Sequence, residues 1–91
     1  MNLKEKVDRR KEELAIVARW TGKARNHLMG RVITNVRYLT DKEQEAYGWY
    51  NKAVVIELDN GTEFFPMRDD EGNDAGALAT NFKDLETIPV I

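Results

Sequence analysis

The chain has 91 residues, 42% hydrophobic and 33% charged, with a net charge of −2. That is enough for one domain with a small core, and the balance is globular rather than disordered. The sequence holds no cysteine and no serine, which excludes disulfides, thiolate metal sites and both common side-chain nucleophiles.

Asn2 followed by Glu5 reads as an N-cap with its capping-box partner. Leu3, Val7, Leu14, Val17 and Ala18 then recur at near-helical spacing among charged residues, which predicts an amphipathic helix from Leu3 to about Trp20. Arg10 and Lys11 interrupt the apolar stripe, so a long coiled coil is not expected. Gly22 is placed to stop the helix, and residues 23–29 read either as a further helical turn or as loop.

Residues 31–39, RVITNVRYL, are rich in β-branched and aromatic types and predict a strand with Val32, Val36 and Tyr38 on one face. Thr40 and Glu43 form a second capping box, so a short helix should run from Asp41 to about Tyr47 and end at Gly48. Lys52 to Asp59 is the clearest strand, with Val54, Ile56 and Leu58 facing one way and Val55 and Glu57 the other. Asn60-Gly61 then marks a hairpin.

Two registers are open for that hairpin. A two-residue loop pairs Ile56 with Phe65. A three-residue loop with a bulge at Gly61 pairs Ile56 with Phe64 and sets Glu57 against Glu63, which repel. Either sends one phenylalanine to the core and the other elsewhere. Pro66 should end the pairing. Residues 69–76 read as loop, 77–82 as a helical turn or short strand, and 87–91 as a terminal edge strand. Trp20, Trp49, Tyr50, Phe64 and Phe65 are expected to serve mostly in the core.

These elements make an α+β chain with a single domain over 1–91. An N-terminal helix in 1–22 accompanies a small curled antiparallel sheet in 30–91. An SH3-like barrel is the expected form of that sheet, and an open meander is the alternative.

The pattern of Tyr38-Leu39-Thr40, Gly48-Trp49, Val55 and Ile56 before Leu58-Asp-x-Gly61, Pro66-x-x-Asp-Asp70-Glu71-Gly72-Asn73-x-x-Gly76-Ala77-Leu78 and Ile88-Pro89-Val90-Ile91 resembles a family of short uncharacterised proteins of marine bacteria and bacteriophages, notably cyanophages. The resemblance covers about Val32 to Ile91. It implies a small, phage-type intracellular protein and supplies no catalytic residues.

Charge is split along the chain. Residues 1–37 carry ten basic and four acidic side chains, net +6, and residues 38–91 carry four basic and twelve acidic, net −8. Such a split suits either a polyanion-binding face or attraction between the two halves. Arg9, Arg10, Lys11 and Arg25 could contact phosphates and Trp20 could stack on a base, giving a nucleic-acid reading. Interleaved acids, with helix pairs such as Asp8 and Lys11, favour a solvated helix face instead.

The loop residues Asp69, Asp70, Glu71 and Asp74 are oxygen donors that could take a divalent cation. Their spacing does not match a calcium loop, because neither the glycine nor the final glutamate falls in place. Turn chemistry, in which Asp and Asn bond nearby amides, is the simpler reading. His27 is the sole histidine, and no catalytic constellation accompanies it.

The reading is therefore a cofactor-free, non-enzymatic protein-interaction module. Arg9, Arg10, Lys11, Trp20, Arg25, Phe64 and Phe65 are the candidate contact residues. The partner is a host protein or the chain itself, most simply as a twofold dimer. No apolar run is long enough to span a membrane, and no secretory leader is visible at the N-terminus, so a cytoplasmic location is expected.

Overall fold

A computed structural model describes residues 2–91. The chain divides into two compact units, one running to Arg31 and the other comprising Val32–Ile91.

The first unit is essentially one helix, α1 (Leu3–Leu28), of 26 residues. The expected capping box is formed: Asn2 Oδ1 accepts from the Glu5 amide at 2.9 Å, and Glu5 Oε2 accepts from the Asn2 amide at 3.2 Å. The helix does not stop at Gly22. That glycine is not among the positive-φ residues, and the left-handed turn falls instead at Gly30, with φ +75°. Gly22 weakens the helix by about 1 kcal/mol relative to alanine, but the good helix formers Lys23, Ala24 and Arg25 that follow it carry the backbone on. None of the side chains of α1 is buried.

The second unit opens with β1 (Ile33–Tyr38) and α2 (Asp41–Tyr47), followed by β2 (Val54–Leu58) and β3 (Glu63–Phe64). The capping box of α2 is complete, and Gly48 ends it in the left-handed conformation at φ 70°, ψ 29°. Strands β1, β2 and β3 form an antiparallel meander in that order. A separate two-stranded ribbon, β4 (Leu78–Phe82) and β5 (Leu85–Ile88), follows. The chain end returns to the segment before β2, where Lys52 and Ile91 exchange backbone hydrogen bonds at 2.7 and 3.0 Å.

The sheet does not close, so the open meander replaces the expected SH3-like barrel. The short β3 has too few residues to seat another strand, and the last two strands pair with each other. Of residues 77–82, Leu78–Phe82 form a strand, and the expected terminal strand over 87–91 is instead Leu85–Ile88, which ends before Pro89.

The hairpin adopts the register that pairs Ile56 with Phe64 and Glu57 with Glu63. Leu58 donates to Thr62 O at 2.9 Å, Gly61 donates to Leu58 O at 3.1 Å, and Gly61 takes φ +83°. This is the three-residue loop, with glycine in the left-handed position that an L side chain resists.

A bulge in β1 corrects the face assignment there. Register shifts between Ile33 and Asn35, so Ile33 lies opposite Leu58 while Val36 lies opposite Ile56 and Tyr38 opposite Val54. Ile33, rather than Val32, therefore joins Val36 and Tyr38 on one face.

The core is small. Leu39, Trp49, Ala53, Val55 and Ala75 are buried together, with Phe65 and Val90 packed against them. Removing Val55 from water, to 1% exposure, is worth roughly 1.5–3 kcal/mol. Tyr47 stacks on Trp49 at 4.7 Å, and Phe65 meets the Trp49 ring edge-on at 5.9 Å. Phe65 is thus the phenylalanine that turns to the core. Tyr50 at 91% exposure and Trp20 at 57% lie outside it, contrary to the sequence expectation. Tyr50 lies in the bend between α2 and β2, and only charged side chains of α1 approach the Trp20 ring.

Candidate interaction surfaces

Three regions gather the residues of interest. The first is an ionic cluster on the sheet. Arg37, next to the end of β1, reaches Glu57 at 2.7 Å and Glu43 of α2 at 2.8 Å, and lies 3.7 Å from Glu63. It also donates to the Tyr38 carbonyl at 3.1 Å. One guanidinium therefore faces three carboxylates, including the two glutamates that the hairpin sets side by side. That contact offsets their repulsion and explains why the like-charged register is tolerated.

Hydrogen bonds from Arg37, and then from the Thr40 amide, hold the Glu43 carboxyl at a pKa of about 2. The same carboxylates, Glu43 first, push Arg37 further above its usual range. Sequence reasoning did not single out Arg37. The signal was present: two facing glutamates call for a cation on the neighbouring strand, and Arg37, opposite Val55 and one step along the same face from Glu57, is the basic residue within reach.

The second region is the acidic loop. Asp69 accepts hydrogen bonds from the Glu71 amide at 3.1 Å, from the Asn73 amide at 3.3 Å and from Asn73 Nδ2 at 2.8 Å. The Asn73 side chain, followed by its amide, keeps Asp69 below the ordinary carboxylate range. Asp74 is buried and accepts from the Asn51 amide, Asn51 Nδ2 and the Ala75 amide at 3.2, 3.1 and 2.7 Å. Burial pushes its carboxyl up, but the Ala75 and Asn51 hydrogen bonds outweigh that and leave it depressed.

Trp49 Nε1 donates to the Gly72 carbonyl at 2.7 Å and ties the loop to the end of α2. Gly76 is fixed by space, since a Cβ there would lie 2.6 Å from the Met67 carbonyl oxygen. Asp69 thus spends its oxygens on the loop's own donors and Asp74 on Ala75 and on Asn51 from before β2, whereas Asp70 and Glu71 remain exposed. Among the described residues, no group of three or more acidic or histidine side chains converges as metal ligands would.

The third region is apolar. On the meander face opposite Arg37, Val36, Ile56 and Phe64 form one cross-strand row. Ile56 and Phe64 are half-buried, while Val36 and Ile33 on the edge strand β1 are 56% and 57% exposed. Phe64 is therefore found in an accessible row, and Phe65 is not.

On α1, Arg9, Arg10, Lys11, Trp20 and Arg25 are all exposed. Successive helical residues turn by about 100°, so Arg9, Arg10 and Lys11 point three ways and do not form one basic face. The Trp20 ring already carries Lys23 at 4.8 Å and Arg19 at 5.8 Å. None of the five ion pairs among the described residues lies within α1, so the expected Asp8–Lys11 pairing is not formed.

No helix among the described residues is long and apolar enough to cross a membrane. Comparison of the chain with protein-family models, with curated proteins and with solved structures returns no match.

Proposed function

We propose that the chain is a non-enzymatic protein-interaction module. Following the resemblance of its Val32–Ile91 part, we read it as a bacteriophage accessory protein that binds a host protein in the cytoplasm. The observation that carries this reading is the apolar row on the meander, where Ile33 and Val36 stand more than half exposed on an edge strand. Exposed apolar groups aligned across strands, flanked by charge, are the surface from which protein contacts are built.

The charge split supports the same reading, because a negative sheet unit selects partners of opposite sign and steers their approach. The test is capture from host lysate with the wild-type chain and with Val36→Asp, read by quantitative mass spectrometry. Val36 is more than half exposed but pairs with Ile56, so its replacement by aspartate should cost about 1 kcal/mol and leave the fold intact, which circular dichroism checks. A protein enriched by the wild type and lost with the variant is the expected result. Equal recovery by both, or recovery of nothing, removes the reading.

A further inference from the structure

Helix α1 is a structural anomaly on its own terms. It runs for 26 residues without a single buried side chain, without an internal ion pair among the described residues, and with Gly22 in its interior. An isolated helix of this kind is marginal in water, because helices in proteins draw most of their stability from packing an apolar face. Its continuation to Leu28 also reveals a longer pattern than the first eighteen residues display. Leu3, Val7, Leu14, Val17, Ala24 and Leu28 fall on alternating spacings of four and three once Arg10 and Thr21 are included at the same positions. That is a heptad seam along the whole helix, about 39 Å long and apolar except at Arg10 and Thr21.

From this seam we infer that α1 pairs with α1 of a second copy of the chain as an antiparallel two-stranded coiled coil. The inference rests on the reading of the chain as an interaction module and names one of its partners. The argument comes from the order of the layers. In an antiparallel pair each residue of one heptad class lies across from a residue of the other class. Centring the pair between Leu14 and Val17 sets Leu14 against Val17, Val7 against Ala24 and Leu3 against Leu28. The two polar interruptions, Arg10 and Thr21, then fall opposite each other. Every apolar layer meets an apolar layer, and the threonine hydroxyl can accept from the guanidinium.

A parallel, in-register pair fails at one layer. It stacks Arg10 on Arg10 inside the seam, where two desolvated like charges are costly. On the flanks, the antiparallel arrangement brings Glu13 beside Trp20, whose ring carries the Lys23 ammonium at 4.8 Å, so opposite charges meet. It also places Lys4 near Arg25, but at exposed positions where salt screens the repulsion. The seam residues Leu3, Val7, Leu14, Val17 and Leu28 are all accessible for this contact, between 39% and 79% exposed.

The test exploits the absence of cysteine from the full chain. Leu3→Cys and Leu28→Cys are prepared separately and oxidised in a glutathione buffer, alone and as an equimolar mixture, alongside sedimentation of the wild type. The expected result is a dimeric wild type and a disulfide-linked dimer in the mixture, formed at least tenfold faster than in either variant alone. Leu14→Asp should sediment as a monomer while keeping the sheet signal of the second unit.

Faster cross-linking of each variant with itself means a parallel pair and overturns the proposal. So does a dimer that Leu14→Asp does not dissociate, or a wild type that stays monomeric at about 200 μM, a concentration at which even a weak association of about −5 kcal/mol would be half formed. A monomeric wild type that still captures a host protein in a Val36-dependent way separates failure here from failure of the interaction reading.

Discussion

Arg37 illustrates how one side chain sets a register. The pairing of Glu57 with Glu63 looks unfavourable when the hairpin is taken alone, and it becomes acceptable because a third strand delivers a guanidinium to both. Glu43 joins the same cluster from α2, and its depressed pKa makes the cluster sensitive to acid. A carboxyl whose folded pKa lies below its unfolded value stabilises fully above the unfolded value. That contribution disappears as pH falls through the folded one.

For Glu43 the window runs from about 4.5 down to about 2. Glu43→Gln should therefore be less stable than the wild type at neutral pH by up to about 1 kcal/mol, since glutamine can still cap Thr40 but cannot pair with Arg37. The gap should close as pH is lowered towards 2. Thermal melts of both proteins across that range check the outcome, and a gap that stays constant with pH would remove the cluster from the account. Hairpin chemistry at Asn60-Gly61 was legible in the sequence because it depends on two adjacent residues. The choice between its registers was not, because it depends on Arg37 from a strand that pairs twenty positions away.

At the level of elements, both capping boxes formed where the sequence puts them, Asn2 with Glu5 and Thr40 with Glu43. Such caps are local, three residues apart, and need no tertiary information. The end of α1 was not legible from Gly22, because a glycine permits a left-handed turn without requiring one. The bulge in β1 was likewise invisible: an extra residue is defined only against the partner strand, and it moved the exposed face from Val32 to Ile33.

These facts predict the behaviour of Gly22. It takes no positive φ, and a Cβ there would meet nothing within 4 Å. Gly22→Ala should raise helicity and stabilise α1 by about 0.5–1 kcal/mol. Position 22 lies outside the seam, so association should gain strength only through the steadier helix. Far-ultraviolet circular dichroism would show the gain, and a loss of helicity would mean that the backbone at Gly22 is needed for a bend.

For the whole molecule, the sequence conveyed the class, one long helix with short antiparallel strands, but not the closure of the sheet. Closure is decided by which strands remain unpaired at the ends, and β4 and β5 satisfy each other. Every residue of the buried core, from Leu39 to Ala75, lies within Val32–Ile91. The fragment Val32–Ile91 should accordingly fold alone and unfold in one cooperative step. Its melting temperature is expected within about 5 °C of the full chain, which corresponds to a stability difference of no more than about 1 kcal/mol. Scanning calorimetry of the two proteins measures this. A fragment without a transition would mean that α1 completes the core.

The hydrogen bond from the Trp49 indole to the Gly72 carbonyl also gives the protein a built-in optical reporter. The chain has two tryptophans, and they occupy different environments: Trp20 is 57% exposed with Lys23 and Arg19 against its ring, while Trp49 is 7% exposed beneath a stacked tyrosine. With Trp20 replaced by phenylalanine, all remaining indole emission comes from one ring whose N–H is fastened to the acidic loop. Its colour and quenching then follow the fastening and release of that loop, so engagement of the loop by any partner can be watched in solution without a label.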